Sequence, residues 1–565
     1  MIVSLLLLVG LGVVAVVAVR GMTARGGGPA TEGHAVRRLF QYLLLYGLLI
    51  VVATGLSGLL GRLLSAPLAT ADQSELARSV AFTVVGVPLF VLVALWSRRR
   101  LAEDPLEAAS PAWALYITAA SLTSLVVAML ALHDVLSWAA GLQVYSGRSL
   151  ARLIVWGSVW GLHWWVQTRA VPADRYRVHH VVGSLIGLVT AATGLAGLLA
   201  GTVHEVLGVS ADALLAGGDN RLLRGAVTLA VGAPVWFVYW VRTTAGSERD
   251  PLWLGYVLLA GVGGGLVTAI AAASTVLYDI LVWFLGDPRA PVAARHFADS
   301  PSAAAAAATG VLVWWYHQAV LGAPDHRDRT ELRRVYEYLM AGIGLLAAAG
   351  GLTMVIVAAV EALTAPALVG GAAINSLLAA ATLLAVGTPV WWFFWSRIQA
   401  AATSAPEQEH ASPTRRIYLF VLFGLGGVAA VIALLTGVYL LFEDVFEGTF
   451  GAATMRSMRF PIGVLATTGA IAGYHWSVYR GEREQPPAAR SGPRFILLVG
   501  RPDPDITSAL ASATGARVEA WPRADAAGAP WVVDDVVSLV GTSTDGEIIV
   551  LSDDTGPHVI PVRRG

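Results

Sequence analysis

The feature that most constrains this fold is a series of apolar stretches, each long enough to cross a lipid bilayer as a helix. The hydrocarbon core is about 30 Å thick, so a helix needs about 20 apolar residues to span it. Thirteen such stretches lie near residues 2–20, 38–61, 79–97, 113–133, 150–168, 180–203, 222–241, 253–278, 303–321, 335–360, 373–396, 416–442 and 460–479. Apolar residues make up 56% of the 565 residues and charged residues 13%, a balance outside the range of soluble proteins. The sequence therefore predicts an all-α polytopic membrane protein of about 13 transmembrane helices.

The distribution of Arg predicts how these helices are oriented. All 38 basic residues are Arg, which we interpret as the codon bias of a GC-rich bacterial genome. With the N-terminus outside, 19 Arg residues fall in or beside the inner loops and 10 on the outer side, as the positive-inside rule requires. We therefore expect a bacterial cytoplasmic membrane protein whose N-terminus is outside and whose C-terminus is cytoplasmic. Residues 1–21 are predicted to be an anchor helix rather than a cleaved signal, because their positive charges follow the apolar run.

The chain also repeats itself, which predicts its domain organisation. Three markers recur in the same order: a Gly-x-Pro triplet, an Asp at a helix end, and a His among aromatic residues. They are Pro88, Asp134 and His163; Pro234, Asp279 and His317; and Pro389, Asp444 and His475. We predict three four-helix membrane repeats at 38–170, 179–322 and 332–482. Because four spans is an even number, the three repeats are parallel.

The repeated residues resemble the pattern of a bacterial membrane family that is catalogued as domain of unknown function 5671. The resemblance covers all three repeats, about 38–482, in which four-span segments end on a Gly…His-Trp helix. It implies the repeat boundaries and brings no activity, cofactor or substrate with it.

The three prolines are the first candidate functional residues. Each lies eight to ten residues before an Arg, which places it near the middle of the membrane. A helix-interior Pro frees the carbonyl four residues back, and kinked helices with free carbonyls build ion or substrate sites in transporters. The alternative is that each kink shapes the bundle while the neighbouring Gly allows close packing, and we favour this interpretation.

The histidines and aspartates are weaker candidates. Axial His pairs hold haem in some membrane proteins, but His163, His317 and His475 lie among aromatic residues near a helix end. We therefore favour a structural His that is hydrogen-bonded at the interface or to a neighbouring helix. A ring formed by Asp134, Asp279 and Asp444 would attract cations at an outer mouth, although solvated acids at helix ends are the simpler interpretation.

A polar linker at 483–493 leads into a predicted cytoplasmic α/β domain at 494–565, with elements in the order β-α-β-α-β-β. Its first strand ends on Gly500-Arg501-Pro502-Asp503, at the place where phosphate-binding loops occur. This turn lacks the glycine pattern and the Lys of such loops. We therefore favour a regulatory or protein-contact module over a nucleotide site.

The leading function is a non-enzymatic membrane scaffold or sensor whose cytoplasmic domain docks a protein partner. A channel or transporter with its path among the kinked helices is the alternative, and a haem-binding redox protein is the third hypothesis. No charged residue lies at mid-depth in any predicted span, which argues against a coupled transporter. The chain has no Cys and no catalytic or metal-binding motif, so we expect no enzyme, no cofactor, no metal site and no nucleic-acid partner.

Overall fold

The computed structural model describes most of the chain. The described residues are 29–65, 73–171, 177–206, 220–322, 331–364, 372–404, 409, 412–484, 493, 495–501, 503, 506–514, 516–525, 528–541, 547–553 and 556–562. The predicted anchor helix at residues 2–20 lies outside them.

Each repeat contains four long helices. In the first repeat these are α1 (Pro29–Leu64), α2 (Gln73–Glu103), α4 (Pro111–Ala139) and α5 (Gly147–Ala170). In the second repeat they are α6 (Arg177–Val206), α7 (Arg221–Thr244), α8 (Pro251–Leu285) and α10 (Ser300–Leu321). In the third repeat they are α11 (Glu331–Thr364), α12 (Ala372–Ser404), α13 (Pro413–Glu447) and α15 (Arg459–Glu484). In the described parts of the connections lie three short helices: α3 (Pro105–Ala108), α9 (Ala293–His296) and α14 (Ala452–Ser457). Below, the proximal end of a repeat is the end at which its first helix begins, and the distal end is the opposite one.

Within the described part of the chain, nine helices are long and apolar enough to cross a membrane. The other three long helices, α5, α10 and α15, lie where spans are predicted but do not reach the same apolarity. They are the helices that carry the predicted His and aromatic residues, which lower their hydropathy. The protein is therefore mostly helical, with apolar helices of membrane length that indicate a membrane protein.

The third helix of each repeat begins on a proline, and two of these starts are capped by the preceding residue. Ser110 Oγ accepts a hydrogen bond from the Trp113 amide at 3.2 Å, and Asp250 Oδ1 accepts one from the Trp253 amide at 2.8 Å. Proline suits this first position because it lacks the amide hydrogen that would otherwise be unpaired. The prolines, and the caps in the first two repeats, thus fix the residue at which the third helix begins.

The first and second helices of each repeat pack through glycines that leave no room for a side chain. A Cβ atom on Gly194 of α6 would lie 2.2 Å from the Leu229 amide nitrogen of α7. In the third repeat, a Cβ on Gly351 of α11 would lie 2.5 Å from the amide nitrogen of Leu384 in α12. Small residues that let backbones approach are the usual contact between membrane helices.

Two long helices of the second repeat contain π-helical segments. Phe237–Thr244 closes α7 shortly after Pro234, and Tyr256–Gly263 lies near the start of α8. Segments of this kind insert an extra residue into the helical turn and are frequent at functional sites. Here both lie towards the proximal end, and Trp253 Nε1 donates to the Thr244 carbonyl between them at 3.2 Å.

The repeats join through the same helix positions at both junctions. At the first junction α4 packs on α7, where Leu125 and Met129 meet Val231 and Tyr239, and His133 contacts Thr228 at 3.3 Å. At the second junction α8 packs on α12, and Asn375 exchanges two hydrogen bonds with the backbone of Asp287 at 2.8 and 2.9 Å. Each junction therefore places the third helix of one repeat against the second helix of the next.

This shared pattern orders the repeats in a row. Extensive helix packing joins the first repeat to the second and the second to the third. Among the residues that the structure describes, no comparable packing joins the first repeat to the third. Among the described residues, the second repeat is therefore the one covered by another repeat on both sides.

The C-terminal region forms a small α/β unit with its own core. Its elements are β1 (Phe495–Gly500), α16 (Ile506–Thr514), β2 (Arg517–Pro522), α17 (Val533–Gly541), β3 (Glu547–Asp553) and β4 (Gly556–Pro561). The strand order is β2-β1-β3-β4, in which β1 is parallel to both neighbours and β4 is antiparallel to β3. Ile496, Leu498, Leu510, Val536 and Ile548 are buried between the sheet and the two helices. The order of elements agrees with the prediction from the sequence.

We predict that Gly194→Val lowers the melting temperature of the protein in detergent, because the new side chain collides with the backbone of α7. Overpacking of this kind costs about 1–3 kcal/mol. The matched control is Gly157→Val in α5, where nothing lies within 4 Å of an added Cβ. Equal melting temperatures for the two variants would contradict the close helix contact.

Candidate functional site

An arginine at the start of the first helix in each repeat pairs with acidic residues that precede or begin the third-helix segment. The arginines are Arg38, Arg177 and Arg334, and their partners across the proximal end are Asp104 with Glu107, Glu248 with Asp250, and Glu409. We call this arrangement the arginine clasp. It ties the beginning of the first helix to the connection between the second and third helices.

The clasp of the first repeat surrounds a carboxylate that is only 1% exposed. Glu107 accepts hydrogen bonds from Arg38 Nε at 2.7 Å and from Arg37 at 3.1 Å. The Tyr42 hydroxyl donates to the same carboxylate at 3.2 Å, and Arg38 also binds Asp104 at 2.9 Å. A buried charge is tolerated only when it is paired and hydrogen-bonded, which these partners achieve for Glu107.

The clasp of the second repeat is more open to solvent. Arg177 donates to Asp250 and to Glu248, each at 2.7 Å. Burial raises the pKa of Asp250, but the amide of Trp253 and the guanidinium of Arg177 outweigh it, so the net pKa is lowered. The stabilisation that this pair contributes is therefore complete above the ordinary pKa of an Asp and is lost as the pH falls through the lowered one.

The third repeat builds the same clasp with an additional acid. Arg334 donates to the buried Glu409 at 2.7 Å and to Glu331 at 2.9 Å. Glu331 in turn accepts hydrogen bonds from Ser412 and Thr414, which begin the third helix, at 2.7 and 2.6 Å. The first and third helices are thus tied directly as well.

The three predicted histidines share one buried geometry. Nδ1 of His163, His317 and His475 lies 2.8, 2.8 and 2.9 Å from the carbonyl oxygen four residues earlier. A carbonyl only accepts hydrogen bonds, so Nδ1 carries the proton and Nε2 is an acceptor. For His163 that acceptor faces the Tyr116 hydroxyl of α4 at 3.1 Å. This hydrogen bond joins the third and fourth helices of the first repeat.

His317 lies in an enclosure of aromatic rings in the second repeat. Its ring centroid is 5.6 Å from that of Tyr256 and 5.8 Å from that of Trp240, with Trp236 and Tyr316 also in contact. A Cβ on Gly261 would lie 2.3 Å from His317 Cγ, so α8 closes tightly over the imidazole. Nε2 has no hydrogen-bond partner among the described residues. The imidazole is therefore packed among four aromatic rings and against α8.

The three aspartates lie at the distal end in different environments. Asp279 is 1% exposed and accepts hydrogen bonds from Ser300 at 2.7 Å and from Arg289 at 3.2 Å. Asp134 is half-buried and accepts one from Ser149 at 3.0 Å, while the carbonyl of the half-buried Asp444 accepts from the Thr449 amide at 2.9 Å. These contacts tie the distal connections to the helices.

The three prolines lie on exposed helix faces, while the Gly of each triplet points inward. Pro88, Pro234 and Pro389 are all exposed. A Cβ on Gly232 would lie 2.4 Å from the Ala191 amide nitrogen, and one on Gly387 would lie 2.6 Å from that of Ala348. The triplets therefore place glycine in the helix contact and proline outside it.

A pocket of about 400 Å³ lies at the proximal end, between the first and second repeats. Its lining comes from α5, α6, the end of α7 and the start of α8: Trp164, Thr168, Arg177, His180, Val181, Thr243, Thr244, Ser247, Asp250 and Trp253. The side chains of Trp164 and Trp253 form apolar walls, and Arg177 and Asp250 add one positive and one negative charge to the lining. Pockets with apolar walls and a few polar groups are the usual form of ligand sites.

Sequence reasoning missed the two histidines beside this pocket. His179 is fully buried, and its Nε2 lies 3.0 Å from the Tyr239 hydroxyl, which also accepts from Trp160 Nε1 at 2.9 Å. His180 lines the pocket and lies 3.3 Å from the side-chain amide of Gln167. Two adjacent histidines at the start of an apolar span were the available signal. In the described part of the chain, no three His, Cys, Asp or Glu side chains are grouped to hold a metal ion.

The family model described as "Domain of unknown function (DUF5671)" matches three times, at residues 38–144, 177–316 and 334–470, which together exceed half of the chain. The chain belongs to this family. No curated protein and no solved structure matches it. The three matches confirm the three tandem copies that the sequence predicts.

The family segments include the clasp but not the histidines of the fourth helices. Arg38, Arg177 and Arg334 are the first residues of the three matched segments, and the acidic partners of the clasp lie inside them. His163, His317 and His475 lie beyond the segment ends. The clasp is therefore a feature of the family segment as it occurs in each repeat of this chain.

We predict that Arg38→Met lowers the free energy of unfolding by about 3 kcal/mol, the lower end of the range for a broken buried ion pair. The effect should not be larger, because Arg37 still contacts Glu107. Arg78→Met is the matched control, since Arg78 is 61% exposed and pairs with Glu75 at 3.8 Å, a surface contact worth about 0–1 kcal/mol. Denaturation of both variants in mixed micelles measures the difference. Equal stabilities would show that the clasp does not hold the proximal end.

Proposed function

We propose that this protein is a non-enzymatic membrane scaffold: a row of three four-helix units that holds a C-terminal docking domain at the cytoplasmic side. The row carries this proposal, because both junctions use the third helix of one repeat and the second helix of the next. Repeat proteins that stack units through one recurring interface typically present extended binding surfaces. The clasps and the glycine contacts stiffen each unit along the row.

Other placements support a scaffold more than a channel. A path among kinked helices needs their freed carbonyls to face a polar cavity. Here Pro88, Pro234 and Pro389 are exposed on the outside of their helices, and the buried side of each triplet is a close glycine contact. The haem hypothesis loses support in the first repeat, because Nε2 of His163, the nitrogen that would bind iron, already faces the Tyr116 hydroxyl at 3.1 Å.

The C-terminal unit has the features of a docking module. The turn after β1 is covered by an indole, since Trp531 Nε1 donates to the Arg501 carbonyl at 2.8 Å and its ring would meet a Cβ on Gly500 at 2.6 Å. This arrangement disfavours phosphate binding at that turn. Strand β2 is an edge of the sheet, and Trp521 at its end is 61% exposed. An exposed edge strand with an apolar anchor is the surface that β-augmentation uses.

We predict that Trp521→Ser in the full chain abolishes capture of a cytoplasmic protein by the C-terminal domain. Cross-linking in intact cells, followed by purification and mass spectrometry, identifies the partner. Ile560→Ser is the matched control, because it removes an exposed apolar side chain from the opposite edge strand, β4. A partner that is absent from the wild-type sample, or is retained equally by both variants, would argue against docking along β2.

The pocket between the first two repeats favours a second candidate function, the sensing of a small polar ligand. Four of its hydroxyls, on Thr168, Thr243, Thr244 and Ser247, already donate to backbone carbonyls. Their lone pairs therefore remain as acceptors towards the pocket. These hydroxyl oxygens, together with the guanidinium of Arg177 and the carboxylate of Asp250, suit a small polar ligand that has hydrogen-bond donors and is neutral or zwitterionic.

We predict that Val181→Trp, which fills the pocket, removes a small molecule that co-purifies with the wild-type protein. Native mass spectrometry of protein released from nanodiscs measures the bound mass. Val189→Trp is the control, because Val189 lies on the same helix and is exposed outside the pocket. A wild-type protein without any bound molecule would count against the sensing role.

A further inference from the structure

The first junction between repeats is built from a stripe on α4 and a stripe on α7. Leu125, Met129, Leu132 and Leu136 form the α4 stripe at the spacing of one helix face, and the first two are buried. They meet Val231, Val235 and Tyr239 of α7, and Val231 is only 3% exposed. The second junction joins the same helix positions, α8 and α12. The chain thus uses one kind of interface twice.

The third helix of the last repeat carries the equivalent stripe with nothing packed on it in the described structure. The equivalent residues lie at the same sequence distances from Asp444 as the α4 residues lie from Asp134. They are Leu435, Tyr439, Phe442 and Phe446. Their exposed fractions are 66, 62, 49 and 83%, whereas Met129 of α4 is 8% exposed. Three of the four residues are aromatic, so this face offers a large contact area.

The second helix of the first repeat, α2, exposes residues equivalent to those of α7 on which the α4 stripe packs. At the same distances from Pro88 as the α7 residues are from Pro234, Val85 and Leu89 correspond to Val231 and Val235, while Val93, the equivalent of Tyr239, packs against the core of its own repeat. Val85 is 59% exposed and Leu89 is 45% exposed. The two ends of the row therefore expose the two complementary halves of the interface that joins the repeats internally.

We propose that the occupant of both faces is a second copy of this chain, with α13 of one copy on α2 of the next. Copies that share one membrane stand the same way up, as the parallel repeats inside the chain do, so the internal interface can recur between chains. The contact is heterologous, because it joins two different surfaces, and it therefore generates a ring or an open row. It extends the row of repeats and does not depend on whether the C-terminal domain docks a partner.

Cysteine cross-linking tests the geometry directly, because the chain contains no Cys. The contact of His133 with Thr228 at the first junction identifies the test positions. His133 corresponds to Glu443 of α13, and Thr228 corresponds to Phe82 of α2. Two differently tagged full-length chains, one Glu443→Cys and one Phe82→Cys, are expressed together and treated in the membrane with a short bismaleimide.

We expect a cross-linked dimer that contains both tags, and little cross-linking when either variant is expressed alone. The matched control pair is Leu434→Cys with Val91→Cys, exposed positions that lie roughly 100° or more around the same two helices. This pair should give less than a tenth of the product. Equal cross-linking of the test and control pairs, homodimers of a single variant as the main product, or no mixed dimer at all would each overturn the proposal.

Discussion

Close packing between the first and second helices of each repeat, with direct backbone approach in the second and third repeats, is the constraint on which the rest of the membrane region depends. Glycines such as Gly194 and Gly232 bring the two backbones so near that a single Cβ would collide with the neighbouring chain. Lipid is as apolar as a leucine side chain, so burial of apolar surface gives membrane helices little reason to associate. Dense contact between small residues supplies that reason instead. Once this pair is fixed, the third and fourth helices have a defined surface on which to pack.

The arginine clasp complements this contact at the place where the glycines cannot act. At the proximal end the helices leave the apolar region, and their connections must be held by polar groups. Arg38, Arg177 and Arg334 each cross from the first helix to the residues that lead into the third, so one side chain fixes two elements. The buried Glu107 makes the first clasp obligatory, because its charge would otherwise be left without a partner.

The sequence predicts the helices, the repeats and the C-terminal sheet because these depend on periodic apolar patterns, which a single chain displays. It also predicts that glycine next to Pro88, Pro234 and Pro389 allows close packing, and the structure places those glycines in the helix contact. The clasp was not predicted, although its signal is present: the paired residues are 66 to 75 positions apart in every repeat. Such a spacing acquires meaning only when the first helix is known to return beside the start of the third. The pocket could not be predicted, since Thr243 and Thr244 of its lining lie in the π-helical segment of α7, which has no simple sequence pattern.

Differences between the repeats indicate where a specific function resides. The proposed scaffold requires only that its units stack, and the glycine contacts and the clasps recur in all three copies. The middle repeat adds features that stacking does not require: two π-helical segments, the buried His179, and Trp253 at the wall of the pocket. Among the described residues it is also the repeat covered on both sides, and Tyr239, which lies 3.0 Å from Nε2 of His179, shares a buried cluster with Met129 of α4. A ligand bound in the pocket would lie beside the interface that joins the first two repeats, which would link the two proposed roles, sensing and scaffolding, through one set of contacts.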